Sequence, residues 1–345
     1  MEPFILDPTR TNPPDTLLGA IITEEVRANG RRLFHKGHRL VAADLPALAT
    51  VDHPLHAVRL GPEDVHEDAA GHRLAHAVAG DNITIRGPVQ SRYNLVASTK
   101  GLLRVDPEAV TALNRLPGIA VFTLPDRLPI LPGKIVAGAK ITPVALPEAT
   151  LRQAEELAAP RPVVRVSPFR PLCVGVITTE GLSDKLRDRF QETVDRKIGW
   201  YGASILRIVH LPNDPAAVAL AIERLVADGA DLILTAGGNT IDPLDPTLVA
   251  LPRIGAEMIT FGAPAHPGSM FWLADRAGIP IFNLASCSMY SKATVADLLL
   301  PWVMAGERVT ADDLAALGYG GLLDRDMAYR FPAYDSDVVD ESDAE

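Results

Sequence analysis

The chain has 345 residues, enough for about two domains that each bury a core. A hydrophobic content of 47% excludes a disordered chain, and a formal net charge of −10 excludes the basic footprint of a protein that binds duplex nucleic acid or an anionic membrane. Only Cys173 and Cys287 are present, which excludes a disulfide framework and fits a reducing compartment. Asp335, Asp337, Asp340, Glu341, Asp343 and Glu345 form an acidic, solubilising tail. Met1-Glu2-Pro3 lacks the basic start and apolar core of a signal peptide, so the expected location is the cytoplasm.

Residues 1–160 carry short alternating pieces such as Ala57–Leu60, Asn82–Ile85 and Lys134–Ala137 between Gly and Pro, with helices expected at Asp106–Leu116 and Glu148–Ala158. The pattern is that of an α+β accessory region with small twisted sheets. His35, His38, His53, His56, His66, His72 and His76 cluster here. His72 and His76 share a helical face, yet no Cys accompanies them, and exposed or helix-capping histidines are expected rather than a metal centre. Residues 161–171, rich in Pro and Arg, read as a semi-rigid extended linker. Its Arg161, Arg165 and Arg170 face solvent or, alternatively, an anionic ligand.

From Leu172 the pattern becomes regular. Apolar runs at Leu172–Ile177, Ser204–Val209, Leu232–Leu234, Glu257–Phe261 and Ile279–Leu284 alternate with helical stretches at Ser183–Trp200, Asp214–Asp228, Pro246–Pro252, Gly268–Ala277 and Ser291–Ala305. Such alternation predicts a three-layer α/β domain over 172–305, a mostly parallel sheet with helices on both faces, followed by a C-terminal extension over 306–345. Ligands of such sheets lie beyond the strand C-termini, which selects four loops. These carry Thr178, Thr179 and Glu180; Thr235, Gly237, Gly238, Asn239, Thr240, Asp242 and Asp245; His266, Pro267, Gly268 and Ser269; and Ser286, Cys287 and Ser288. Small polar residues and glycines at strand ends suit a phosphate held by backbone N–H groups. Asp242 and Asp245 either point into the loop's mouth or cap the following helix. No Gly-x-Ser-x-Gly elbow accompanies Ser269 and His266, and no Gly-x-Gly-x-x-Gly follows the first strand. Cys287 is either a nucleophile or a small packing residue.

Taken together, these loops resemble the molybdopterin-binding domain of molybdopterin adenylyltransferases, molybdopterin molybdenumtransferases and gephyrin. That family has a Thr-(Thr/Ser)-Gly-Gly loop with an Asp eight positions after the first Gly; here Thr235-Ala236-Gly237-Gly238 is followed at that spacing by Asp245. Asp68–Ala75 is similar to the opening phrase of the molybdenumtransferase accessory domains. The family's Lys-Pro-Gly-Lys-Pro is His266-Pro267-Gly268-Ser269-Met270 here, and its Gly-Leu-Pro-Gly-Asn-Pro reads Asn283-Leu284-Ala285-Ser286-Cys287-Ser288. The resemblance implies a protein of molybdenum cofactor biosynthesis that binds molybdopterin or adenylated molybdopterin, with Mg²⁺ and molybdate as co-ligands. Asp245 would be the catalytic and metal-binding residue. It also implies a homodimer, for which Trp200, Tyr201, Phe271 and Trp272 are either interface or buried packing residues. The loss of both lysines leaves a second reading open, a non-catalytic carrier that hands the cofactor to a molybdoenzyme.

Overall fold

A computed structural model describes residues 1–9, 17–28, 30–89, 91–179, 181, 183–237, 242–284 and 294–335. The acidic tail beyond Asp335 therefore lies outside the described residues. The chain divides into two compact units: one holds residues 1–96, 105–124 and 135–165, the other residues 97–104, 125–134 and everything from Val166 onward. Two segments that the sequence reading placed in the accessory region thus group with the α/β unit.

The first unit is built on antiparallel pairing. Glu2–Leu6, Leu55–Arg59 and Ile21–Ile22 form one small sheet over a core that includes Leu6, Ile22, Phe34 and Leu40. A second sheet orders Ile119–Thr123, Ile135–Ile141, Arg92–Ala97 and Ile83–Val89, and the helix Glu67–Val78 packs on its Ile135–Ile141 strand. That helix buries Ala70, Leu74, Ala75 and Val78, an i, i+4, i+5, i+8 stripe, and turns Arg73 toward the helix Glu148–Ala158. Arg73 donates to both Glu148 (2.7 Å) and Glu155 (2.8 Å). The Arg73 guanidinium, with Arg152 adding a second contact, holds the Glu148 carboxyl at about 2. Because this pKa is depressed, its contribution to stability is present above the usual carboxylate range and is lost as pH falls toward about 2. A carboxyl NMR titration should show Glu148 among the last carboxylates to protonate, and Arg73→Ala should raise it toward the ordinary range, with Arg152 still lowering it.

Several histidines of this unit make local contacts. His66 caps the helix Glu67–Val78 by accepting from Asp68 N–H, His38 pairs with Asp44 at 2.8 Å, and the His72 and His76 rings lie 4.1 Å apart. Residues 161–171 are not a free connector. Val164–Pro168 is a strand in a three-stranded sheet with Gly101–Val105 and Pro129–Ile130. Alternating Val164 and Val166 are buried there, and a Cβ on Gly101 would collide with the Ser167 carbonyl, so only glycine permits this approach.

In the second unit the six-stranded sheet contains β1 (Cys173–Thr178), β2 (Ser204–His210), β3 (Leu232–Ala236), β4 (Glu257–Phe261), β5 (Trp272–Arg276) and β6 (Ile279–Leu284), in the order β2-β1-β3-β6-β5-β4. Strands β1, β2, β3 and β6 are parallel, and β5 runs antiparallel to both β6 and β4. Strands β1, β3, β5 and β6 split their side chains by parity between two cores. Val174, Val176, Leu232, Leu234, Leu273 and Phe282 enter one core with α1 (Asp184–Trp200) and α4 (Val295–Met304). Ile177, Ile233, Trp272, Ala274 and Ile281 enter the other, with α2 (Pro215–Ala227) and α3 (Pro246–Arg253). Burial on both faces explains why these strands read as continuous apolar runs.

The helix expected over Gly268–Ala277 does not form; Trp272–Arg276 is β5. Arg276 pairs with Ile279, and Ala277 (φ 52°) and Gly278 (φ 90°) between them have the positive φ that a two-residue hairpin turn demands. Trp200, Tyr201, Phe271 and Trp272 are all buried in the two cores, which removes the apolar surface suggested for a homodimer. Nor do residues 306–335 form a detached extension: Val309, Leu314, Leu317, Leu323, Phe331 and Tyr334 complete the core beside α1 and α4. No described helix is long and apolar enough to cross a membrane.

Candidate functional site

Parallel pairing places Thr178, His210, Ala236 and Leu284, the last residues of β1, β2, β3 and β6, along one edge of the sheet. Because Phe261 pairs with Trp272 and Leu273 with Phe282, the loop between β4 and β5 emerges on the same edge. The sheet therefore gathers the described parts of the predicted loops in one place. Glu180, Gly238, Asn239, Thr240, Ser286, Cys287 and Ser288 lie outside the described residues.

At the first loop Thr178 is fully buried, and its carbonyl accepts from Leu211 N–H (2.9 Å). Thr179 is only 5% exposed, its N–H donates to Ala236 O at 3.3 Å, and its hydroxyl is buried with no hydrogen-bond partner among the described residues. An orphaned buried hydroxyl costs on the order of 1–3 kcal/mol unless another group satisfies it. Ser183 stands at the N-cap of α1 without a side-chain capping bond. His210, opposite Thr178 in β2, is held below its ordinary pKa by desolvation and by the Arg187 charge.

At the second loop the structure separates residues that the sequence grouped. Thr235 is buried and its hydroxyl donates to Phe282 O on the neighbouring strand (3.2 Å), a bond within the sheet rather than into the loop. Gly237 has φ 94°, the left-handed conformation for which glycine suits this position. Asp242 Oδ1 accepts from Leu244 N–H, and its carbonyl accepts from Asp245 N–H. Asp245, 4% exposed, is the N-cap of α3: Oδ1 accepts from Thr247 N–H at 2.9 Å and also from the Thr247 hydroxyl. The helix-capping alternative is thus realised, with the carboxylate set at the positive end of the helix on the same edge.

The third loop is braced from three sides. Ala263 N–H donates to Ser269 O, and His266 bonds through both its N–H and its carbonyl to Gly321 and Leu323. Gly268 (φ 109°) lies against the first turn of α4, where an added Cβ would come within 2.8 Å of Val295 N. Asn283 Oδ1 accepts from Trp272 N–H (2.6 Å), and its amide donates to Met270 O (3.3 Å), fixing the loop's return into β5. His266 and Ser269 remain exposed, and Pro267 and Gly268 are half-buried.

Beneath the edge lies a buried polar network that sequence reasoning missed. Asp297 on α4 accepts from Lys197 Nζ (2.7 Å), the Tyr334 hydroxyl (2.9 Å) and the Thr294 hydroxyl (2.8 Å), and Tyr334 meets Tyr201 at 3.3 Å. Burial, and then the Asp297 charge, push the Tyr334 phenol well above its usual pKa. A signal was present: Lys197 continues the buried stripe Phe190, Val194 of α1, and Asp297 interrupts the otherwise apolar Val295–Met304. Among the described residues no three His, Cys, Asp or Glu side chains are grouped to hold a metal ion.

Residues 173–305 match the family described as a probable molybdopterin binding domain. Among solved structures, the tungsten cofactor synthesizing protein MoaB from Pyrococcus furiosus aligns at 18% identity over 34% of this chain and 84% of that one, with a TM-score of 0.27. The molybdopterin biosynthesis enzyme MoaB from Thermus thermophilus aligns at 21% identity over 39% of this chain and 98% of that one, with a TM-score of 0.29. The molybdopterin biosynthesis MoeA protein from Pyrococcus horikosii aligns at 15% identity over 70% of this chain and 79% of that one, with a TM-score of 0.31. No curated protein matches the chain.

Proposed function

We propose that the α/β unit binds molybdopterin in molybdenum cofactor biosynthesis, and that the chain inserts molybdenum from molybdate into molybdopterin or its adenylated form, in the cytoplasm. The family match supports the ligand class, and the observation that carries the site is the buried, unpartnered Thr179 hydroxyl at the strand edge. Gly237 and Gly238 would let the backbone approach the ligand's phosphate, with Asn239, Thr240, Ser269, Ser286 and Ser288 as polar contacts. Asp245 would hold Mg²⁺. One of its oxygens serves the helix cap, so phosphate oxygens and water would supply most of the ion's shell, as is usual for this cation. Bound Mg²⁺ would supply charge neutralisation at the phosphates.

The test is anaerobic purification, oxidation of released ligand and fluorescence detection of the pterin derivative, for wild type and Thr179→Val. The variant should lose about tenfold in pterin affinity, as expected for one buried hydrogen bond, while gaining about 1 kcal/mol of stability because the orphaned hydroxyl is gone. Unchanged pterin affinity in Thr179→Val would remove this hydroxyl from the site; absence of any pterin binding by wild type would remove the proposal.

The replacement of the resembled family's two lysines by His266 and Ser269 favours a second reading, a carrier that delivers finished cofactor to a molybdoenzyme. Turnover of adenylated molybdopterin separates the two: a carrier binds it without consuming it.

A further inference from the structure

The opposite edge of the sheet holds a cavity of about 360 Å³ that the reading above does not use. It lies where β1, β3 and β6 begin, beside Leu172, Asp231 and Pro280, and the segment after α4 closes it with Val309. Its charged groups are unusual in how they are left. Arg170 belongs to the Pro/Arg-rich segment, but whereas Arg161 there is paired with Asp106, Arg170 has no carboxylate partner among the described residues. Its backbone is pinned, N–H to Met304 O at 2.7 Å, and its guanidinium lies across Gly306, where an added Cβ would collide with Cζ. The neighbouring carboxylate, Glu307, is engaged by Arg104 and Arg127. Arg308 likewise has no ion-pair partner among the described residues.

Carboxylates on the same cavity are also left without cations. Asp231 Oδ2 accepts from Cys173 N–H (2.9 Å) and Asp275 Oδ1 accepts from Gly278 N–H (2.9 Å), so both are held in place by backbone donors, and neither has a cationic partner among the described residues. One cavity thus presents charges of both signs with no ion pair between them among the described residues, beside an apolar wall of Leu172, Leu273 and Val309. A polyanion such as phosphate would meet three carboxylates, and a bare cation would meet two guanidinia. A zwitterion with an apolar body matches both.

We propose that this cavity binds an α-amino acid or dipeptide with an apolar side chain, its carboxylate on Arg170 and Arg308, its ammonium on Asp231 and Asp275, and its side chain against Leu273 and Val309. The experiment is isothermal titration calorimetry of the full chain with L-leucine, L-phenylalanine and leucyl-leucine. Parallel titrations use N-acetyl-leucine, leucinamide and inorganic phosphate. Saturable binding of at least one zwitterion is expected, weakened about tenfold when either charged end is blocked, with no binding of phosphate. Arg170→Ala and Asp275→Asn should each weaken it about tenfold, the second keeping an acceptor for Gly278 N–H; circular dichroism checks that both remain folded. No heat with any zwitterion, equal binding of the blocked compounds, binding of phosphate instead, or unchanged affinity in both folded variants would overturn the proposal.

Discussion

Asp297→Ala is expected to destabilise the α/β unit by about 3–5 kcal/mol, the largest single effect, because it strands a buried lysine without its counter-charge. Asp297 is 1% exposed and Lys197 8%, so neither group can be rehydrated without opening the core. The same substitution removes the acceptor of the Thr294 and Tyr334 hydroxyls, and each buried donor left unmade adds its own cost. Replacing both ends of the pair, Lys197→Met with Asp297→Leu, should cost far less than the sum of the single changes, since packed apolar residues can substitute for a buried pair. Urea unfolding of the two single variants and the double variant measures this coupling. Additive losses would show that the pair is not the unit of stabilisation.

Asp245→Asn is the second. Asparagine is as good an N-cap as aspartate and keeps an acceptor for Thr247 N–H, so its urea midpoint should stay within about 0.5 kcal/mol of wild type. Asp245→Ala should lose about 1–2 kcal/mol through the missing cap. If Asp245 holds Mg²⁺, both variants should lose Mg²⁺-dependent turnover of adenylated molybdopterin by at least about a hundredfold, a fall of about 2.7 kcal/mol in transition-state stabilisation. Full turnover in a stable Asp245→Asn protein would leave the residue a helix cap and nothing more.

The α/β layering was legible because strands buried on both faces must be apolar throughout, as Val174–Ile177 and Leu232–Leu234 are. The cap was legible only as one of two alternatives for Asp245, because a following proline starts a helix at its first turn. Trp272–Arg276 was misread because its turn is Ala277-Gly278, without the Asn-Gly or Asp-Gly that announces a hairpin. Asn283 and Lys197 were passed over since their partners, Trp272 N–H and Asp297, are distant in sequence; no local pattern carries that pairing. Thr179 was named as a ligand contact, but that its hydroxyl lacks a partner is visible only once the strands are assembled.

Tyr334 lies 29 residues beyond the end of the matched stretch at 305, yet its hydroxyl bonds to Asp297 inside that stretch. The recognisable family segment is therefore shorter than the packed unit to which it belongs. A fragment cut at residue 305 would expose the apolar bed of Phe331 and Tyr334 and leave Asp297 a donor short. Anyone transplanting the domain should carry the chain through Tyr334 and keep residues 97–104 and 125–134, which belong to the same unit.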